Sequence, residues 1–408
     1  MKIRAEKSRN AGIGFGALAI ALLAGQAAAQ INIPANAPDL ATAVSQASSG
    51  QTITIDAGSY SGSGWVGVSP SGKDLTITGL GVVVVDLATQ GRAMNITGGE
   101  TITLNNITFT NGDTAFDDEG GTLFITSGSN VTANDVTFDN SFAFFDGGAV
   151  FVSSATFNAN NCTFQNNEVL DVGGAIAAAQ SAVVNINGGV FQNNEAAGGG
   201  AIDLTGGAEL TVSGNAVFQN NRAVSAFGGG IQTASAGLVT LTDVTFQNNE
   251  SVGEGAAFDF FITDSVLTNV TIVNNNVLGT PGVNTFGGAT SIAAGDHVWT
   301  DVEIRDNQIG DINTGALGIG AGLSSVGGAT IPCTINFTNV DFIDNYGNNQ
   351  TGGAQLGSHT SGTITGGLVS GNRINSGAGA GHLVIGTNVN ITGHRHQCRH
   401  HLRRRRVP

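Results

Sequence analysis

The sequence predicts an all-β fold of one kind, a parallel β-helix (a solenoid) with a short N-terminal capping helix. Three observations carry this. The motif FQNN stands at 164–167, 191–194, 218–221 and 246–249, and related copies continue the series on both sides. Within each copy apolar and polar residues alternate with period two, the mark of a half-buried strand. A glycine-rich mark separates successive copies. Fixed self-similarity at this period signals stacked structural units, none of which buries its own apolar face.

The repeat anchors are Phe109, Phe138, Phe164, Phe191, Phe218, Phe246, Ile272, Ile304, Phe342 and Val369. Most follow one another by 26 to 29 residues. Three short strands fit in such a unit: one ending in the anchor, one after the glycines as in GGAVFV, and one between as in ATFNAN. About eleven such rungs account for the chain, each strand pairing with its equivalent one turn along, about 4.8 Å away. The ladder Phe138, Phe164, Phe191, Phe218 and Phe246 is expected to stack inside. The Asn pairs, with Asn167, Asn194, Asn221 and Asn249 as second members, are expected to turn the chain and to bond along the ladder. Gly-Gly corners supply close backbone approach or a positive φ.

The mature chain opens on a cap. Ile31 to Pro34 reads as a strand. Asp39 to Ser49 places Leu40, Ala43, Val44 and Ala47 on one helical face, ended by Gly50. TITI at 52–55 and LTIT at 75–78 are strands. Before the cap, residues 1–29 read as a signal peptide: four early basic residues, the apolar run AGIGFGALAIALLA, and Ala27-Ala28-Ala29 before Gln30. Export follows, to the extracellular space or the outer-membrane surface, with no transmembrane helix once the signal is removed.

Composition narrows the partners. Charged residues make up only 11% of the 408, and there are 62 glycines. Between 31 and 393 five basic residues face 29 acidic ones, leaving a charge of −24. Such a body repels nucleic acid and anionic lipid. Cys162, Cys333 and Cys398 form no disulfide framework and no metal-ligand spacing, and Cys162 reads as a small buried hydrophobe. Residues 30–393 thus read as one β-helix domain. The tail 394–408 departs from it, with six of the twelve Arg and four of the seven His at or after His394. It fits a basic nucleic-acid or membrane tract, a His/Cys metal tract, or a shifted reading frame. The third accords best with its abrupt change from the acidic body.

The pairing of GGA-plus-aliphatic (147–150, 173–176, 199–202) with F-x-x-N (164–167, 191–194, 218–221, 246–249) resembles the polymorphic outer membrane protein repeat. The opening INIPANAPDLATAVSQASSGQTITIDAGSY is similar to the N-terminal cap of pectin-lyase-like β-helix proteins. The resemblance implies a right-handed parallel β-helix, secreted or displayed, with adhesion as the commonest role. It covers roughly 31–393. Members of that family usually end in an outer-membrane β-barrel, for which this sequence carries no segment of sufficient length.

Chemistry is sparse in the linear sequence. Glycoside hydrolysis needs two carboxylates flanking one bond, and a lyase needs a basic residue, commonly with calcium. The basic residues Lys73, Arg92, Arg222, Arg305 and Arg373 are scattered, so no catalytic residues are assigned. Asp113, Asp117, Asp118 and Glu119 form the densest acidic patch. It reads as a solvated loop, with Ca²⁺ binding through oxygen ligands as its alternative; no other cofactor is expected. His297, His359 and His382 read as turn or surface residues. Phe142, Phe144 and Phe145 are candidate binding residues, and Phe258, Phe260 and Phe261 form a second aromatic cluster. N-x-T triplets such as 106–108, 161–163 and 269–271 fall out of the strand pattern and read as structural. Function is expected where the repeat breaks: 111–119, 141–146, 253–264 and 276–286. The expectation is a non-enzymatic, adhesin-like or extracellular structural protein whose partner is extracellular polysaccharide or a host or neighbouring cell surface. The alternative is a lyase or hydrolase acting on acidic polysaccharide.

Overall fold

The computed structural model describes residues 30–114, 118–280, 284–310, 317–328, 330–348, 351–374, 383–385, 389–393 and 395–397. One turn of the coil shows how the sequence makes it. Val150–Ser153, Thr156–Asn160, Thr163–Gln165 and Glu168–Val169 follow one another. The same four recur one turn on, at Ile176–Ala179, Val183–Asn187, Val190–Gln192 and Glu195–Ala196. Each pairs in parallel with its counterpart, as in Phe164↔Phe191 and Val150↔Ile176. This turn therefore holds four short strands, whereas in later turns the second and third are one continuous strand, as in Leu238–Gln247 and Gly295–Arg305, giving the three that the sequence predicts. Asn161, at φ +51°, bends what would otherwise be one long strand.

Stacking the turns gives a parallel β-helix. Among the described residues its faces are sheets of 21, 11 and 10 strands, the largest built from the second and third strands of the early turns and from the single long strands that replace them later. An isolated bridge, Val68↔Met94, places one further turn ahead of the eleven-strand sheet, so the coil makes about twelve turns rather than eleven. Strand Arg395–Gln397 pairs with Leu368–Ser370, so the β-structure continues past residue 393, where composition changes.

Every letter of FQNN has its own role. Phe138, Phe164, Phe191, Phe218 and Phe246 are buried, and neighbouring rings stack with centroids 4.6–4.8 Å apart. Burying each contributes roughly 1.5–3 kcal/mol. The glutamines point the other way and form an outer amide ladder, with Gln192, Gln219 and Gln247 each donating to the Gln of the turn before at 2.7–2.9 Å. The first Asn turns the chain: Asn166, Asn193, Asn220 and Asn248 have φ of +55° to +56°. The second Asn does not turn it. Asn167, Asn194, Asn221 and Asn249 are fully buried and form a hydrogen-bonded column.

In that column each amide is saturated. Asn194 Oδ1 accepts from Asn167 N (3.1 Å) and Asn167 Nδ2 (2.9 Å). Asn194 Nδ2 donates to Phe164 O (3.0 Å) and Asn221 Oδ1 (2.9 Å). All four hydrogen-bonding capacities of the side chain are used. The column continues through Asn275, Asn307, Asn345 and Asn372, each three residues after an apolar anchor.

The cap is shorter than the sequence predicts. The helix is Leu40–Gln46, with Asp39 Oδ1 accepting from Thr42 N at 2.8 Å and Leu40, Ala43 and Val44 buried. It ends at Ala47 in extended backbone, not at Gly50. Lys73 Nζ holds its last turn by donating to Val44 O (2.7 Å) and Ser45 O (3.2 Å). His297 is also corrected: it is buried inside strand Gly295–Arg305, with Nδ1 2.8 Å from Ser265 Oγ, and burial lowers its pKa to about 4. Its register explains this, since His297 and Trp299 share the inward face. His359 does occupy an exposed turn, and His382 lies outside the described residues. Cys162 and Cys333 are free and buried, Cys162 pushed up to about 12 by burial; Cys398 lies outside the described residues.

The column yields a stability prediction. Asn221→Ala strands the Asn194 N–H, one Asn194 Nδ2 proton and the Phe191 carbonyl. At about 1–3 kcal/mol for each buried unpaired group, the loss should reach about 3–5 kcal/mol. Gln219→Ala on the solvated face should cost under about 1 kcal/mol. Urea unfolding of both variants, read by circular dichroism, checks the contrast, and equal losses would refute the ladder's role.

Candidate functional site

The eleven-strand sheet carries the site on its outward face. Position four after the first glycine of each Gly-rich corner lies in one register column: Phe124, Phe151, Ala177, Asp203, Gln232, Asp259, Ser291, Ser324. Its flanking residues, such as Ile202 and Leu204 or Phe258 and Phe260, point into the core. The column therefore faces away from the core, yet Asp203 and Asp259 are buried, at 3% and 7% exposure. The glycine corners fold over it. A Cβ on Gly228, at φ +66°, would stand 2.8 Å from Gln232 Cβ, and one on Gly287 2.8 Å from Ser291 Cβ. The corners thus do two things: they turn the chain and they leave room for this row of side chains.

A second row edges the first. It holds the residue before each first glycine, including Glu119, Asp146, Phe227, Glu254 and Phe286. Floor and edge together enclose two adjoining cavities of about 400 and 270 Å³. They share Glu254, Ser291 and Val326. The larger is lined also by Gln232, Asp259, Phe227 and Phe261, the smaller by Phe286, Ser324 and Gln355. Phe227, Phe261 and Phe286 are 41%, 50% and 39% exposed, which is unusual for Phe in a protein with so well-filled an interior. Ser291 Oγ donates to Glu254 Oε2 at 2.9 Å.

The electrostatics are those of acids without cations. Burial, reinforced by the charge of Glu254, raises Asp259 to about 8. Burial raises Glu254 as well. Burial and the charges of Asp146 and Asp171 raise Asp203 well above the carboxylate range. Burial, then Asp171 and Glu119, lift Asp146 to about 6. At neutral pH Asp259 is a carboxylic acid, able to donate a hydrogen bond or a proton. A larger cleft of about 540 Å³ lies on the 21-strand sheet among Asp301, Glu303, Asp341 and Arg395. Its acids are exposed or half-buried, and it has no aromatic wall.

The acidic patch and first aromatic cluster sit elsewhere. Asp118 pairs with the buried Arg92, whose guanidinium also lies 4.8 Å over the Phe124 ring. Burial would raise Asp118, but the Arg92 partner brings it below its ordinary value. Asp113 is half-buried in a strand beside Phe142, Glu119 lies in the edge row with Asp146, and Asp117 lies outside the described residues. Among the described residues no three His, Cys, Asp or Glu side chains converge in a metal-holding group. Phe142 and Phe144 are half-buried and Phe145 is exposed, packed edge-on to Phe144 at 5.1 Å. None of the three lines either cavity. Glu254, Asp259 and Phe261 fall within the repeat break 253–264, and Phe286 within 276–286. Gln232, Ser291 and Phe227 were missed. The signal was present as the variable positions around each glycine corner, hidden because the corners themselves looked purely structural.

Residues 43–217 match the family model described as a right handed beta helix region. No curated protein matches the chain. Among solved structures, the catalytic domain of a GH87 alpha-1,3-glucanase in complex with tetrasaccharides is similar at 16% identity and TM-score 0.46, over 90% of this chain and 68% of that one. The A-module of the Azotobacter vinelandii mannuronan C-5 epimerase AlgE6 is similar at 12% and 0.40, over 86% and 91%. The receptor-binding tailspike of bacteriophage Det7 is similar at 12% and 0.39, over 91% and 74%. Likeness at this level assigns neither activity nor ligand.

The buried acid makes a pH prediction. Below about pH 4 Asp259 is protonated in both folded and unfolded chains. Between its unfolded value of 3.8 and its folded value of about 8 only the folded chain keeps the proton, so stability falls as pH rises across that window. Asp259→Asn should match the parent at pH 4 and exceed it by about 4 kcal/mol at pH 7. Denaturant unfolding at both pH values checks this; a variant less stable at pH 7 would contradict the burial argument.

Proposed function

We propose that this is an exported β-helix protein, adhesin-like or structural in the extracellular space or at the cell surface, that binds polysaccharide along the outward face of its eleven-strand sheet. The observation that carries the reading is the pair of adjoining cavities. Exposed Phe227, Phe261 and Phe286 stand over a floor of carboxyl, amide and hydroxyl groups. Apolar walls with a few convergent polar groups are the usual make-up of a ligand cleft. Phenyl faces suit the apolar faces of sugar rings, and the floor suits their hydroxyls. The charge of −24 between 31 and 393, with carboxyls in the cleft, favours a neutral glycan over an acidic one. The GGA-plus-aliphatic and F-x-x-N alternation, which resembles the polymorphic outer membrane protein repeat, and the signal-like residues 1–29 support the extracellular setting.

A glycan array followed by calorimetry on the purified chain tests this. Neutral polysaccharides should bind, and Phe261→Ala and Phe227→Ala should each weaken binding by about tenfold or more without unfolding the protein. Failure to bind any glycan on a broad neutral and acidic panel would sink the reading.

A further inference from the structure

We propose that the outward face of the 21-strand sheet binds ice. Two columns of side chains run along it. The first passes through Thr103, Thr132, Asn158, Asn185, Thr211 and Thr240, each paired in register with the next. The second stands two residues on in every strand, so both point outward. From Thr76 to Thr363 the first column holds only Thr, Asn and Val, and from Thr78 to Thr365 the second holds only Thr, Asn and Ser. All of these residues are half-buried or exposed. No charged residue and no aromatic ring stands in either column, although the sequence has 30 Asp and Glu and 21 Phe. The core makes no demand on an outward position, and the outward column of the eleven-strand sheet varies freely among Phe, Ala, Asp, Gln and Ser. Bonding between turns does not explain the constancy either, since among the described residues no side-chain hydrogen bond joins Thr242, Thr268 and Thr300 to one another. Uniformity on this face therefore reflects a demand from outside the fold.

The repeat fits a lattice of water. Successive turns set the side chains about 4.8 Å apart, and the two columns lie about 6.6 Å apart along each strand. These steps are near the two oxygen repeats on a prism face of hexagonal ice. A Thr hydroxyl donates and accepts, as water in ice does, and its methyl fills the gap between anchored waters. Val266 and Val298 keep the shape of Thr without its hydroxyl, which gives the exposed Val298 a place on the face. The early Asn side chains are held in position by their neighbours: Asn134 Nδ2 donates to Asn105 Oδ1 at 2.7 Å, and Asn160 Nδ2 to Asn134 Oδ1 at 2.8 Å. Waters anchored on a face so fixed lose little further freedom when they join a crystal. One turn contributes little, but many turns in one register act together. The uncharged columns match an uncharged partner, because an ion holds its water in a shell that does not fit a lattice. Carboxylates stand at the border, as at Glu209, Asp264 and Asp296, two residues before the first column. The lack of phenyl rings separates this face from the groove, where Phe227, Phe261 and Phe286 offer surfaces for sugar rings.

The test follows single ice crystals in solutions of the purified full chain under a microscope and measures the gap between melting and freezing points. Faceted crystals and a measurable gap are expected. Thr211→Lys and Thr268→Lys, both at exposed positions, should keep the circular dichroism spectrum and shrink the gap about fivefold or more, since each plants a long charged chain amid the array. Thr126→Lys, the same change on the eleven-strand sheet, should leave the gap unaltered. Round crystals with no gap overturn the inference, as does a full gap in Thr268→Lys. Retention on crystalline cellulose without any effect on ice also overturns it and assigns the face to a flat glycan sheet instead. None of these results bears on binding at Phe227 and Phe261, so this inference and the reading of the groove fail separately.

Discussion

The buried asparagine column is the interaction on which the rest depends. Among the described residues neither a helix bundle nor a disulfide fixes the register of the coil. Each Asn side chain from 194 to 345 donates two hydrogen bonds and accepts two, linking its own turn to the turns before and after. Slipping one turn by a residue would leave several of these groups buried and unpaired, at about 1–3 kcal/mol each. The column thus holds the register even where turns vary in length: Asn275, Asn307 and Asn345 stay linked although 32 and 38 residues separate them.

A fixed register turns sequence positions into lines on the surface. Because the side-chain period is two, a strand anchored inward at Phe258 and Phe260 must present Asp259 outward. The same rule puts Asp203, Gln232 and Ser291 in line with it, one turn or about 4.8 Å apart. Since the core demands nothing of the outward position, it is free to vary from turn to turn. The variation among Phe, Ala, Asp, Gln and Ser along one row contrasts with the near-uniform Phe and Asn rows beside it.

The core rows were legible in the sequence because they repeat. Phe164 and Asn167 declare themselves by recurring at Phe191 and Asn194, and the period-two pattern gives the strands. The two roles of the Asn pair were not legible, since nothing in the string FQNN says which amide turns the chain and which is buried. The site was hidden for the opposite reason. Glu254 and Asp259 occur once each, five residues apart, in a stretch that reads as a damaged repeat. Their meeting on one cavity depends on the glycine corner between them, and Ser291, from the following turn, holds Glu254 there. His297 illustrates the same gap: polar residues suggest the surface, but a partner in the preceding turn, Ser265, allowed it inside.

Where the costly carboxyl sits also follows from the architecture. Keeping Asp259 uncharged in the fold works against stability at neutral pH, so its strand needs compensation nearby. The opposite face of that strand supplies it. Phe258 and Phe260 stack at 4.3 Å, and Phe258 packs edge-on against Phe246 and Trp299 at 5.7 and 5.8 Å. Burial of the two phenylalanines contributes roughly 3–6 kcal/mol, the same order as the carboxyl's cost. In most turns the corresponding inward residues are smaller, such as Ile176 and Ala178 or Ile202 and Leu204. The enlarged aromatic pair lies beneath the acid at the groove's centre, and so the departure from the repeat inside the coil accompanies the departure outside it. A strand anchored this strongly from below can hold an unfavourable group above, which is the physical condition for placing a buried acid on the outer face of an otherwise uniform solenoid.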